Sequence, residues 1–545
     1  MNINVVKTTP YSDQNPGTSG LRKKVAVIQK PNYLENFVQS VFNALPSDER
    51  NILVIGGDGR FYNNIAIQIV IRMAVANGYK RLIIGQNGLL STPAVSNLIR
   101  IKQANGGMIL SASHNPAGPD QDFGIKYNNE NGSPASNTLS ASIFAASLEI
   151  SQYTIADISE VNLRDIGDVV LNRTTISVID SVQDYIECMK RCFDFPKLRK
   201  AFASERLSIR FDAMHAVTGP YARSVFVDEL GASSDSIING EPREDFGGGH
   251  PDPNLVHAKA LFESMHDANA PVLAAASDGD GDRNMILGQG CFVSPGDSLA
   301  ILAEHHKIIP QFKEGLCGVA RSMPTSTAID RIAEDLGIQS FETPTGWKFF
   351  GNLLDTSNIS LCGEESFGTS GNHIREKDGV WAVLFWLSIL EASGKNVSQL
   401  LVSHWQRFGR SMYCRLDYEG ISADVAADLM KNMQFGVSES RLILKHTNIA
   451  GADSFEYIDP VDGSVSSNQG IRVFLTGGSR IVYRLSGTGT DSATLRIYLE
   501  QYTNSAQDFV TSLDIPNATA DLAKMAVELA EISQRTGMTS PSLVT

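Results

Sequence analysis

Three times along the chain a short apolar run stops at a polar, glycine-bearing loop, with helical segments between the runs. In the first unit Ile52 to Ile55 stops at Gly56-Gly57-Asp58-Gly59. A helical stretch from about Asn63 to Asn77 ends at Gly78, a C′ glycine by position. A strand at Leu82 to Ile84 and a helical segment from about Thr92 to Gln103 follow. The strand Met108 to Leu110 then runs into Ser111-Ala112-Ser113-His114-Asn115-Pro116. The second unit has a strand at Leu207 to Phe211, helical stretches from about Gly219 to Leu230 and Leu255 to Asp267, and a strand Val272 to Ala276. That strand enters Ser277-Asp278-Gly279-Asp280-Gly281-Asp282-Arg283. The third has a strand at Leu316 to Ala320, a helix from about Thr325 to Leu336 and the segment Thr343-Pro344-Thr345-Gly346-Trp347-Lys348. Its last strand, Ile359 to Cys362, delivers Gly363-Glu364-Glu365-Ser366-Phe367-Gly368. Strands alternating with helices indicate βαβ crossovers, so the expected fold is three repeated α/β domains on mixed or mainly parallel sheets. Ligands of open α/β sheets bind at the carboxyl edge of the strands, where these loops lie.

The last quarter breaks the pattern. Val473 to Thr476 and Arg480 to Leu485 flank Gly477-Gly478-Ser479 and read as a β-hairpin. The second strand opens into Ser486-Gly487-Thr488-Gly489, and Thr494 to Leu499 alternates as a half-buried strand. This is a smaller α+β domain with a fourth polar loop. A chain of 545 residues has room for three or four domains at roughly 150 residues each. The repeat points to four, at 1–180, 181–295, 296–407 and 408–545, whose loops share one central cleft.

The loops carry different chemistry. Asp278, Asp280 and Asp282 alternate with glycines, so their carboxylates can turn to one side of an extended loop as hard oxygen ligands for an Mg²⁺-like ion. A calcium-binding EF-hand starting at Asp278 needs Gly at 283 and Glu at 289, where Arg283 and Gln289 stand. A solvated acidic turn is the plainer alternative. Ser113 follows a strand beside His114; alone the pair reads as a turn, and no G-x-S-x-G hydrolase elbow is present. Placed at the same sheet edge as the aspartates, its hydroxyl suits phosphoryl transfer, where positioning and charge neutralisation dominate. Ser486-Gly487-Thr488-Gly489, with Arg484 and Arg496 nearby, offers backbone N–H groups, hydroxyls and guanidinium forks to a phosphate. Glu364, Glu365 and Ser366 can accept from sugar hydroxyls, and His373, Arg375 and Lys377 form a basic cluster.

Composition narrows the partners. Asp plus Glu is 60 against 46 for Lys plus Arg, a formal net charge of −14, which argues against a nucleic acid partner. Six cysteines are too few for a disulfide framework in so long a chain, and Cys188 and Cys192 sit at helical i, i+4 spacing. No apolar run approaches the roughly 18 residues that span a bilayer, so no integral membrane contact is expected. The first residues show no basic stretch followed by an apolar one, which points to a cytoplasmic protein.

The set SASHNP, DGDGDRNM, GEESFG with HIREKDG, and RLSGTGT resembles the α-D-phosphohexomutases, and among them the parafusin-like, eukaryote-type phosphoglucomutase branch. PGTSGLRKK, YLENFVQS, EDFGGGHPDPN, ARSMPTS and ETPTGWKFFGNL agree with it, from about Pro16 to beyond Arg496. Two stretches depart: HNPAG stands where HNPGG is usual, and GTSGNH where GTGSDH or GTGSNH is usual. The resemblance implies interconversion of glucose 1-phosphate and glucose 6-phosphate through a glucose 1,6-bisphosphate intermediate. It implies that Ser113 is phosphorylated and that Asp278, Asp280 and Asp282 bind Mg²⁺ together with an oxygen on Ser113. Arg22, His114, Lys126, Arg283 and Lys377 become the surrounding cations, with Lys377 the acid/base, which requires a lowered pKa. Glu364 and Ser366 then hold sugar hydroxyls and Thr345-Gly346 reads the sugar's two orientations. Arg484, Ser486, Gly487, Thr488 and Arg496 hold the phosphate that is not transferred. Hexose phosphates are the expected partners, for a monomer or weak dimer. Two alternatives remain. Mannose and glucosamine phosphate mutases share the machinery but usually read GEMSGH or GEQSGH. A parafusin-like scaffold linked to exocytosis would have weak or no mutase activity, yet the serine and all three aspartates are present.

Overall fold

A computed structural model describes residues 2–17, 19–46, 50–442, 447–486, 492–506 and 515–545. Its first sheet has seven strands in the order Leu21–Lys24, Asp122–Asn129, Gly106–Leu110, Ile52–Gly57, Arg81–Leu89, Thr174–Ile179 and Gly167–Leu171. The four strands from Gly106–Leu110 to Thr174–Ile179 are parallel, and the others pair antiparallel at the edges. Leu53, Val54 and Ile55 are all buried, because helices cover both faces of a parallel sheet and leave no polar side.

The second sheet orders Ile237–Ile238, Ile209–Asp212, Leu273–Ala276, Met285–Gly288 and Cys291–Val293. The third orders Gln339–Thr343, Gly318–Ser322, Leu361–Gly363 and Thr369–Gly371. In each, the first three strands are parallel and the next reverses. The C-terminal sheet is antiparallel throughout, in the order Ile449–Ser454, Ile471–Leu475, Arg480–Ser486, Ser492–Thr503, Arg410–Ser422 and Leu543–Val544.

This topology refines the expected repeat. Each candidate loop does more than end a strand: it joins a parallel strand to its antiparallel neighbour. Gly106–Leu110 returns as Asp122–Asn129, Leu273–Ala276 as Met285–Gly288, and Leu361–Gly363 as Thr369–Gly371. Arg480–Ser486 and Ser492–Thr503 are paired neighbours too. Two helices differ from expectation. The stretch after Gly219 is Thr218–Ala222 continued by a π-helical Arg223–Glu229. The one expected from Leu255 to Asp267 is helical only at Lys259–Ser264, because Asn254 Oδ1 accepts from the amides of Val256 and His257 and makes a side-chain turn instead.

One apolar core runs through the first three units, with Val54, Tyr185, Phe211, Leu299 and Trp381 all in it. At its centre lies the helix Gly379–Ser393, buried from Gly379 to Leu390. GVWAVLFWLSIL is apolar all round, which suits a helix packed on every side. The C-terminal domain has its own core. No helix among the described residues is long and apolar enough to cross a membrane.

Candidate active site

Three of the four loops meet. Ser113 follows Gly106–Leu110 and is buried, with φ 53° in the left-handed region. Its Oγ donates to Asp278 Oδ2 at 3.0 Å and lies 3.4 Å from His114 Nδ1. The approach is close: a Cβ on Gly279 would stand 2.3 Å from the Ser113 carbonyl oxygen, so only glycine fits between Asp278 and Asp280.

Two residues not assigned a role from sequence hold the serine loop. Arg60 is fully buried, paired with Asp58 at 2.9 Å, and its Nη2 donates to the Ser113 carbonyl at 2.8 Å. Asp58 Oδ2 also accepts from Ser111 Oγ at 2.6 Å, and Ser111 Oγ accepts from the Ser113 amide at 2.7 Å. The available signal was Gly57-Asp58-Gly59-Arg60 at the carboxyl edge of the first strand. Ala117, the extra methyl of this loop, is buried with Ala216 and Phe246. Phe246 also lies 5.3 Å beneath the Arg60 guanidinium.

Asp278, Asp280 and Asp282 are buried, and one oxygen of each lies within 4.8 Å of the others. Asp278 Oδ1 accepts from the amides of Asp282 and Arg283, which curls the loop around it. Asp280 Oδ2 accepts from Thr92 Oγ1 at 2.5 Å and from Lys126 Nζ. Asp280 Oδ1 and Asp282 Oδ1 are buried with no hydrogen-bond partner. Two orphaned carboxylate oxygens in an all-oxygen set are what a hard divalent cation satisfies, so the residues fit a metal. Burial and the charges of Asp282 and Asp280 push Asp278 well above the usual carboxylate range. Asp280 stays below it, because Lys126 and the Thr92 hydroxyl outweigh its burial.

The cations surround this group. Lys377 Nζ lies 3.3 Å from Asp282 Oδ2 and 3.9 Å from Glu364 Oε2. Lys377 does not have the lowered pKa expected of an acid/base lysine. Burial lowers it, but Asp282 and Glu364 outweigh burial and hold it above the ordinary lysine value. Lys377 immediately precedes Asp378, which caps the central helix and is gripped by Tyr185 at 2.6 Å and His373 at 3.1 Å. Arg283 reaches Asp252 Oδ1 at 3.3 Å, with its Nε 3.8 Å from Asp278 Oδ2. Arg22, on the edge strand Leu21–Lys24, donates to Asn115 at 3.4 Å and is half-buried. His114, expected as one of the cations, is not one: burial, Arg283 and Arg22 hold it well below 6.5, so its ring is neutral at pH 7. Glu376, paired with Asn128 at 2.9 Å, is pushed up to about 7 by burial.

The third loop closes against the second. Arg283 and Gly368 form an isolated β-bridge, and the Asn284 amide donates to the Phe367 carbonyl at 2.9 Å. Glu364 Oε1 accepts from the Gly346 amide at 2.9 Å, joining the two segments expected to read a sugar. Thr345 Oγ1 is buried and unpartnered; Ser366 is half-buried in the same loop. In the fourth loop Gly487 and Thr488 lie outside the described residues. Arg484 and Arg496 stand directly opposite across the hairpin, and Ser486 opposite Thr494. Like charges directly opposite repel, which an anion between them relieves. No hydrogen bond or ion pair among the described residues joins Arg484, Ser486 or Arg496 to the other three loops.

Known proteins match this arrangement along the whole chain. Sequence-family profiles for phosphoglucomutase/phosphomannomutase α/β/α domains I, II and III match residues 13–154, 183–290 and 295–408. A profile for the phosphoglucomutase-1 C-terminal domain matches 410–542. Phosphoglucomutase of Rhizobium radiobacter is 50% identical, covering 100% of both chains. The chain belongs to the phosphoglucomutase family. Cytoplasmic phosphoglucomutase of Bromus inermis is 49% identical over 99% of this chain and 98% of its own. Among solved structures, the exocytosis-sensitive phosphoprotein pp63/parafusin (phosphoglucomutase) of Paramecium, in an open form, superposes with a TM-score of 0.92. It is 46% identical over 100% of this chain and 99% of that one. A phosphomannomutase structure from Thermus thermophilus, at 22% identity and TM-score 0.70, shares the fold.

Proposed function

We propose that the chain interconverts glucose 1-phosphate and glucose 6-phosphate through a phosphorylated Ser113 and a glucose 1,6-bisphosphate intermediate, with Mg²⁺ bound by Asp278, Asp280, Asp282 and an oxygen on Ser113. The observation that carries this is the Ser113 hydroxyl 3.0 Å from Asp278, within a carboxylate trio that keeps two buried oxygens unpartnered. A bound Mg²⁺ supplies positive charge to the phosphoryl oxygens. The four working units are 1–180, 181–295, 296–407 and 408–545.

The protein groups divide the work. A sugar hydroxyl attacks the phosphorus on Ser113, the bond to Oγ breaks as the bond to the sugar oxygen forms, and Lys377 in its amine form takes the hydroxyl proton. Ser113 Oγ, leaving as an alkoxide, takes up a proton from solvent to become the hydroxyl that donates to Asp278. In the opposite direction the Lys377 ammonium returns that proton. Asp282, 3.3 Å away, favours the ammonium, so the amine form requires its charge to be drawn off, and Asp282 is one of the proposed metal ligands. Arg22, His114, Lys126 and Arg283 surround the transferring group. Glu364 and Ser366 hold sugar hydroxyls, while the unpartnered Thr345 hydroxyl and Gly346 face either orientation of the sugar. Arg484, Ser486, Gly487, Thr488 and Arg496 take the other phosphate. A cytoplasmic setting suits the lack of a membrane-spanning helix among the described residues; relatives are named both cytoplasmic, as in Bromus, and chloroplastic, as in Marchantia.

The test is a coupled assay with Mg²⁺ on glucose, mannose and glucosamine 1-phosphates, using wild type and Ser113→Ala. Turnover should favour the glucose ester and fall at least 1000-fold in the variant, a loss on the scale of removing an essential nucleophile. Labelled glucose 1,6-bisphosphate should mark Ser113. Label on another residue, or full activity in Ser113→Ala, rejects the phosphoserine route.

A further inference from the structure

A second group of metal-ligating side chains lies beside the cleft. One nitrogen each of His250 and His257 and one oxygen of Asp252 lie within 4.8 Å of one another. The two imidazoles are stacked, centroids 4.1 Å apart and planes 17° from parallel, so the exposed His257 ring must turn out of the stack for both nitrogens to converge on one ion. His250 Nδ1 is buried without a hydrogen-bond partner. The backbone holds the set in place: Pro251 and Pro253 fix φ on either side of Asp252, and Asn254 accepts from the His257 amide at 3.0 Å. His250 and Asp252 are half-buried and His257 is exposed, which leaves an entry path.

We propose that His250, Asp252 and His257 form a second, transition-metal site, separate from the aspartate trio, through which a Zn²⁺-class ion inhibits the enzyme. Two imidazoles and one carboxylate are a borderline-soft donor set that suits Zn²⁺ or Co²⁺, whereas the all-oxygen trio suits Mg²⁺. Coordination at about 2.0–2.2 Å draws the three side chains together. Asp252 links the two sites. Its Oδ1 accepts from Arg283 Nη1 at 3.3 Å, and Arg283 Nε lies 3.8 Å from the Asp278 oxygen that Ser113 contacts. An ion that takes Asp252 withdraws the carboxylate that orients Arg283, and the disturbance reaches Ser113 through Asp278.

The experiment uses full-length enzyme at saturating Mg²⁺, titrated with Co²⁺ and followed by visible absorption, then assayed on glucose 1-phosphate with added Zn²⁺. Wild type should bind Co²⁺ with visible d–d bands and lose activity as Zn²⁺ rises. His257→Ala, at an exposed position, should keep its activity without Zn²⁺, bind Co²⁺ at least tenfold more weakly and need at least tenfold more Zn²⁺ for half-inhibition. Equal Co²⁺ binding by both proteins overturns the proposal. So does Zn²⁺ inhibition that His257→Ala leaves unchanged, or that extra Mg²⁺ relieves in proportion, since that places the ion on Asp278, Asp280 and Asp282.

Discussion

Ser113 holds a left-handed backbone conformation, φ 53°, that costs a residue with a Cβ about 1–2 kcal/mol. The cost is borne by its neighbours: Arg60 grips its carbonyl, Ser111 its amide and Asp278 its hydroxyl. Two inactive variants separate strain from chemistry. Ser113→Ala and Ser113→Gly both lose the hydroxyl, but only glycine relaxes at this φ. Against that relief stands the greater freedom of glycine in the unfolded chain, about 0.5–1 kcal/mol. The relief is the larger effect, so Ser113→Gly should be more stable than Ser113→Ala by about 0.5–1 kcal/mol, read from paired thermal melts. Equal melting would put the strain at only about 0.5–1 kcal/mol, just enough to cancel the glycine penalty, and an alanine variant more stable by that amount means the backbone here is unstrained.

At the scale of elements, the loops work because their flanking strands and helices press them together. The start of the central helix is seated on the aspartate loop: a Cβ on Gly379 would stand 2.2 Å from the Arg283 carbonyl oxygen, which is backbone and cannot swing aside. Gly379→Ala should push the two elements apart, lower stability by about 1–3 kcal/mol as overpacking does, and reduce kcat at least tenfold. Melting and turnover at wild-type values would show that the contact has slack. Local pattern made the parallel strands and most helices legible, because apolar runs such as Leu53 to Ile55 and the glycine at 78 are read within a few residues. The shortest returning strand, Thr369–Gly371, is not legible in the sequence, because its three residues are too few to show a period. The short helix Lys259–Ser264 was overdrawn because its turn depends on one side chain, Asn254. In the site, Ser113 and the aspartates were visible as residue types at a sheet edge. Arg60 was not, since its role is to hold a carbonyl 53 positions away. The direction of the Lys377 shift is hidden from the sequence for the same reason, because Asp282 and Glu364 reach it from other loops.

The whole molecule depends on how its last domain is attached, since Arg484 and Arg496 must come to the other loops for one cleft to hold both phosphates. The attachment joins an apolar cluster, Met323 and Phe349 of the third unit against Phe455, Tyr457, Val482 and Tyr498, to a buried polar group. Glu500, on the Ser492–Thr503 strand, accepts from Arg480 Nε at 2.7 Å and from the third unit through Ser326 Oγ at 2.8 Å and the Thr327 amide at 2.9 Å. Burial raises the Glu500 pKa, but Arg480 and these donors overcome it and bring it down to about 2, against an ordinary 4.5. A carboxyl depressed on folding stabilises above its unfolded pKa and loses that contribution as pH falls through its folded pKa. The stabilisation is therefore complete above about pH 4.5 and fades toward pH 2, amounting to about 3 kcal/mol by linkage. Glu500→Gln keeps the shape and removes the charge, leaving buried Arg480 poorly matched, a change that costs about 3–5 kcal/mol when one partner of a buried pair is lost. At pH 7 the first thermal transition of Glu500→Gln should fall below that of wild type. The gap should narrow between pH 4.5 and 2, as the wild-type carboxyl takes up the proton that makes it equivalent to the amide. A gap that stays constant across that range would mean that packing, and not the Glu500 charge, holds the domain in place.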